Sequence, residues 1–147
     1  MIIYFDSCCY GRLHDDPTQL RIITEAAAIT AVIELSRIAG HYIIGSPAVY
    51  FELEDIPNTK KRTDIETFFD ASIDTYVTIT DDNEARADVL AAEGLGAMDS
   101  LHLAIAEAQG ADVLLTTDDL FIKICAKKKL SSVRVINPLN FLPEVII

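Results

Sequence analysis

Four carboxylates fall where strands and helices meet along this chain. Asp6 closes the apolar run Ile2-Ile3-Tyr4-Phe5, and Glu52 lies early in a helix that leaves a strand. Asp99 follows the small-residue loop Gly94-Leu95-Gly96-Ala97, and Asp118 follows Val113-Leu114-Leu115 by two threonines. Each has an ordinary structural role open to it. Asp6 can close a turn, Asp99 and Asp118 can N-cap the helices after them, and Glu52 can be a solvated helix residue. Their joint placement points to chemistry as well. Open α/β sheets bind ligands beyond the carboxyl ends of their strands, which is where Asp6 and Asp118 would sit. Carboxylates brought close together repel one another, so such a cluster is destabilised without a cation. Oxygen ligation completed by waters is what Mg²⁺ or Mn²⁺ prefers.

The elements that must position these groups can be read from the hydrophobic pattern. Met1 to Phe5 reads as a buried strand ending at Asp6, and Gly11 to Gln19 as a polar loop with Asp16-Pro17 as a turn or helix entry. From Thr18 to Ala39 a long helix is predicted, with Leu20, Ile23, Ala27, Val32, Leu35 and Ile38 at helical intervals and Gly40 as its stop. A second strand, His41 to Gly45, meets Ser46-Pro47, a cap and first-turn proline that open the helix bearing Glu52. That helix must end before Pro57.

Further on, Thr59 to Ala71 reads as a helix, Asp74 to Ile79 as a third strand, and Asp81 or Asp82 to Glu93 as a helix stopped by Gly94. The closing stretch predicts a helix Ser100–Gln109, a strand Asp112–Leu115, a short helix Asp119–Lys128 and a strand Val133–Ile136. The order β-α-β-α-α-β-α-α-β-α-β argues a mostly parallel central sheet with helices on both faces, a three-layer α/β/α domain.

Length and composition agree with one folded domain over residues 1–147, half of them apolar. The amino-terminal stretch lacks the basic region of a signal peptide and meets Asp6 early. No apolar run approaches the ~20 residues that span a bilayer, so no membrane partner is expected and the expected address is the cytoplasm. Cys8, Cys9 and Cys125 make neither a disulfide framework nor a zinc spacing. The net charge of −11 excludes a simple basic nucleic-acid-binding surface, leaving metals, local basic groups or a partner to supply substrate affinity. The run Lys127-Lys128-Lys129 is either a steering patch or a basic helix end that offsets the helix dipole.

Four segments, taken in order and at their spacing, resemble the PIN domain family, of the kind found in ribonuclease toxins of toxin–antitoxin pairs. They are Tyr4-Phe5-Asp6-Ser7, Ser46 to Leu53 (SPAVYFEL), Ala97 to Ala104 (AMDSLHLA) and Leu115 to Phe121 (LTTDDLF). The resemblance implies a PIN-like fold over nearly the whole chain. It also implies a divalent-metal-dependent endoribonuclease using Mg²⁺ or Mn²⁺, an RNA substrate, an antitoxin partner and a homodimer. Carried over by position, it makes Asp6, Glu52, Asp99 and Asp118 the catalytic, metal-binding set, with Glu54 and Asp119 as fallbacks for Glu52 and Asp118.

Thr116 then becomes a neighbouring hydroxyl near metal or phosphate. His102, three residues after Asp99, is either a metal ligand or proton shuttle, or packing at the pocket edge. Arg12 and Arg21 either meet substrate phosphate or a carboxylate, or are solvated surface. Many relatives carry asparagine where this chain has Cys8, which bears on the hydrogen bonding around Asp6.

Two other enzyme or signalling classes fit poorly. A haloacid-dehalogenase-type phosphatase needs a second aspartate two residues after the first, where Cys8 stands. A response-regulator receiver wants an acidic pair ending the first strand and a lysine ending the last, where this chain has Asp6 and Asn137-Pro138. The alternative that survives is a catalytically weak or inactive PIN-fold module that binds RNA or protein.

Overall fold

The structure is a computed structural model that describes residues 1–145. Five strands form one all-parallel sheet: β1 (Ile2–Phe5), β2 (Tyr42–Gly45), β3 (Thr75–Tyr76), β4 (Val113–Leu115) and β5 (Arg134–Ile136), in the order β3-β2-β1-β4-β5. β1 is central, with Ile3 in register with Ile43 on one side and with Val113 on the other. Because the strands are parallel, Asp6 after β1 and Thr116 after β4 emerge side by side at the same sheet edge.

Helices cover both faces, and the period-two alternation of the strands explains why. Ile3, Phe5, Ile43, Val113 and Leu115 face one layer. It contains α1 (Ser7–Gly11), α2 (Leu20–Ala39), α3 (Pro47–Leu53), α4 (Thr59–Ser72) and α8 (Pro138–Val145). Tyr4, Ile44 and Leu114 point the other way, into α5 (Asp81–Ala92), α6 (Ala97–Ala108) and α7 (Asp119–Lys128). The three-layer α/β/α architecture expected from the sequence is therefore present, with every pairing parallel.

Several local expectations need correction. The stretch after Asp6 is a short helix, α1, where the sequence predicts no element, followed by a 3₁₀ turn at Arg12–His14 inside the predicted polar loop. Asp6 makes the difference, since its carboxylate accepts the Ser7 N–H and caps the turn. Beyond β5 the chain adds α8, unforeseen in the sequence, with Asn137 Oδ1 accepting the Leu139 N–H at 2.9 Å.

β3 keeps only two of the six predicted residues, because an edge strand has one neighbour to pair with. Helix α2 turns inward a face that only partly matches the predicted positions: Val32 is buried and Leu35 packs against the core, but Leu20, Ile23, Ala27 and Ile38 are exposed. Ala28, Ile29, Val32, Ile33 and Ser36 are buried, whereas Leu20 and Ile38 are 75% and 83% exposed. This helix is apolar nearly all round, so periodicity alone cannot select its inner face.

Two glycines are structurally required. Gly40 ends α2 at φ 75°, the left-handed conformation that a Cβ disfavours. Gly45 ends β2 where a Cβ would lie 2.6 Å from the Phe69 ring. The chain can therefore pass α4 closely before turning into α3, the helix that carries Glu52.

Candidate metal centre

The site forms at the carboxyl edge of β1 and β4, where α3 and α6 bring up side chains from the two layers. Asp6 is buried at the end of β1. Its Oδ1 accepts the Ser7 N–H at 2.7 Å, and its Oδ2 accepts the Thr116 hydroxyl at 2.8 Å. Thr116, fully buried, thus fixes Asp6, and its Oγ1 also accepts the Asp118 N–H at 3.1 Å. Cys8 places Sγ 3.5 Å from Asp6 Oδ2 and 3.5 Å from Thr116 Oγ1. These thiol contacts are long and weak.

Glu52 enters from the last turn of α3 and His102 from α6. His102 is completely buried and central to the cluster. Its Nε2 makes a short hydrogen bond to Glu52 Oε1 and lies 3.5 Å from Asp6 Oδ1. Its Nδ1 faces the Tyr4 hydroxyl at 2.6 Å, and that hydroxyl also meets Ser46 Oγ at 2.8 Å. Ser46 was expected to cap α3; its hydroxyl is spent on Tyr4 instead, and it makes no capping bond. Ser7 Oγ donates to Glu52 Oε1 at 2.8 Å.

Asp6, Glu52 and His102 each offer a ligand atom, and these atoms all lie within 4.8 Å of one another. His102 therefore does more than pack at the pocket edge. The roles of Tyr4 and Ser7 were not foreseen, because their sequence signal is only a polar atom at the end of an apolar strand.

Asp99 sits in the first turn of α6, two residues past the start. Gly96 takes the N-cap position, so the capping explanation for Asp99 does not hold. Burial first, and then the negative charges of Asp6, Asp118 and Glu52, together raise the Asp99 carboxyl to about 7 against the opposing pull of His102. No hydrogen bond to its charged form offsets this among the described residues.

For Glu52, burial pushes upward, but the hydrogen bond and charge of His102, with Ser7, outweigh it and hold the carboxyl below its usual range. For His102, burial favours the neutral ring, yet the Glu52 hydrogen bond and the charges of Asp6, Glu52 and Asp99 raise it overall. The pocket is thus short of positive charge. A half-buried carboxylate without a donor, facing three others, fits a divalent cation.

Asp118 caps α7, with Oδ1 accepting the Leu120 N–H at 2.9 Å and the Phe121 N–H at 3.2 Å. The capping role anticipated for it is real, and it coexists with the charge coupling to Asp99. Asp99 and Asp118 are coupled by charge to one another and to the cluster but are not among its three mutually close ligand residues, and the remaining candidates lie outside it. Glu54 is exposed at the end of α3. Asp119 is exposed and paired with Arg21. Arg12 contacts Glu25 and Asp15 rather than any of the four carboxylates, and neither it nor Arg21 is simple solvated surface. Lys127 and Lys128 close α7 and Lys129 follows at its left-handed cap, all three exposed.

No helix among the described residues is long and apolar enough to cross a membrane. Among curated proteins, none matches the sequence. The PIN domain family model, however, matches residues 20–127, a span that includes Glu52, Asp99 and Asp118, and this chain belongs to the PIN domain family.

Proposed function

We propose that this PIN domain is a divalent-metal-dependent endoribonuclease, with Asp6, Glu52, Asp99 and Asp118 forming the centre that holds Mg²⁺ or Mn²⁺. PIN domains are typically nucleases that use a divalent metal. The observation that carries the reading is the convergence of Asp6, Glu52 and His102 ligand atoms within 4.8 Å, with Asp99 pushed up to about 7 beside them. A divalent cation in such a pocket lowers the pKa of water and offsets charge on a phosphodiester.

The chain's own residues supply orientation. Thr116 and the Ser7 N–H fix Asp6, and the Tyr4–His102 pair fixes Glu52 from behind. Asp118 is held at the head of α7 by its own capping bonds. With the Asp99 carboxyl raised to about 7, a cation held there would be coupled to proton release. RNA as substrate, a cytoplasmic location, a homodimer and an antitoxin partner complete the proposal as extensions from the family. The toxin role is the narrowest of them.

A second reading has one observation in its favour. His102 already hydrogen-bonds Glu52 internally, as it would in a PIN module that binds RNA or protein without cutting it. One assay separates the two. Purified protein is incubated with structured and unstructured RNAs in Mg²⁺, in Mn²⁺ or in EDTA, beside Asp99→Asn. Cleavage that needs metal and is reduced at least about 100-fold in the variant supports the nuclease. Absence of cutting across these RNAs, together with absence of Mn²⁺ binding, contradicts it.

A further inference from the structure

Glu25 lies in α2, away from the metal centre, and is completely buried. A lone buried carboxylate is costly unless paired and hydrogen-bonded, and here every oxygen is engaged. Oε1 accepts from Arg12 Nε at 3.0 Å and from Arg12 Nη2 at 2.8 Å. Arg21 Nε lies 3.3 Å from both carboxylate oxygens, and Asn137 Nδ2 donates to Oε2 at 2.6 Å. Glu25 thereby joins α2 to the 3₁₀ turn and to the head of α8.

Arg21 carries this anchor to the loop between β4 and α7. While Nε faces Glu25, Nη2 donates to the Thr117 carbonyl at 2.8 Å, and Nη1 and Nη2 grip Asp119 at 2.8 and 2.9 Å. Thr117 and Asp119 are the residues on either side of Asp118. The guanidinium's planar fork suits this simultaneous grip on a carboxylate, a carbonyl and a second carboxylate; a lysine ammonium does not. An exposed Arg–Asp pair is weak by itself. This one is tied at its other end to a buried glutamate that Arg12 and Asn137 also hold in place.

We propose that Arg21, oriented by the buried Glu25, is a positioning residue that sets the backbone around Asp118. The proposal rests on the reading of Asp118 as part of the metal centre. Arg21 acts through the loop and does not itself touch the four carboxylates of that centre. This role also explains why a PIN domain as acidic as this one directs a half-exposed arginine at protein acceptors.

The test uses Arg21→Met, which keeps the aliphatic stem while Arg12 and Asn137 continue to satisfy Glu25, together with Arg21→Lys. Amide hydrogen exchange is followed at Asp118, Leu120 and Phe121, whose N–H groups bond within this loop. Amides of β1 and α6 report whether the fold is intact. Exchange at the three loop amides is expected to quicken at least tenfold in the methionine variant, with lysine between it and wild type. The Mn²⁺ dissociation constant is expected to rise by about 10-fold.

Unchanged loop exchange overturns the proposal whatever happens to metal affinity. A raised KM for RNA with unchanged loop exchange also overturns it, by making Arg21 a substrate contact. Faster loop exchange with unaltered Mn²⁺ affinity overturns the link to the metal centre. If the wild type itself fails to bind Mn²⁺, the metal-centre reading falls and takes that link with it, while the exchange data still decide whether Arg21 orders the loop.

Discussion

At the scale of single residues, the site is a set of like charges held together by named partners. Asp99 is the least reconciled of them. Its carboxyl is raised to about 7 in the folded chain, above its ordinary unfolded value. The stability it contributes is therefore fully present below the unfolded pKa and lost as pH rises through about 7. Without metal, Asp99→Asn should unfold at higher denaturant than wild type at pH 8, by about 1–3 kcal/mol, with little difference at pH 4. Added Mn²⁺ should stabilise the wild type and leave the variant nearly unmoved. Urea melts at the two pH values, with and without Mn²⁺, check both points.

Tyr4→Phe probes the opposite side of the pocket. It deletes the hydroxyl shared by His102 and Ser46, and should cost about 1–3 kcal/mol because both buried partners lose a bond. A denaturant melt reads that loss. Asp6, Glu52, Asp99 and Asp118 were legible as candidates because polar residues that end apolar strands or begin helices stand out. The bonds of His102 were not, since Glu52 and Tyr4 lie 50 and 98 residues away in sequence.

At the scale of elements, the predicted run of strands and helices was mostly correct because strong punctuation marks it. Gly40 and Gly110 stop helices with positive φ, and Ser46-Pro47 starts one. What could not be read was orientation and weakly marked structure. Helix α2 has apolar residues on every side, so its buried face is decided by the sheet and α8 rather than by its own pattern. That assignment is testable. Ile29→Ala, at a buried position outside the predicted set, should lower stability by about 2–5 kcal/mol, whereas Ile38→Ala, on the exposed face, should stay within about 0.5 kcal/mol of wild type.

Glu25 illustrates the same limit. A glutamate amid alanines in a helix reads as solvated, and only the packed structure joins it to Arg12, Arg21 and Asn137, 13, 4 and 112 residues away. The helix α8 that brings Asn137 into place was not anticipated, although Asn137-Pro138 carries the same cap and first-turn proline as Ser46-Pro47.

At the scale of the whole molecule, a net charge of −11 sets how a polyanion can approach. Long-range electrostatics oppose RNA binding, so affinity must be gathered locally, at the metal centre and at exposed basic groups such as Lys127, Lys128 and Lys129. The expected signature is a shallow fall of RNA affinity with monovalent salt at fixed Mg²⁺, because few phosphate contacts displace counterions and screening also relieves repulsion. Fluorescence anisotropy with a labelled RNA, between low and moderate salt, measures the slope. A steep slope would reveal a basic surface that the charge distribution does not suggest.

The central claim is that Asp6, Glu52, Asp99 and Asp118 surround a divalent cation. Anomalous diffraction from crystals soaked in Mn²⁺ tests it most directly. The account predicts a manganese peak at the carboxyl edge of β1 and β4, within ligand distance of Asp6 and Asp99 and absent from Asp99→Asn crystals. A peak confined to other surface carboxylates, or an empty pocket at saturating Mn²⁺, would contradict it.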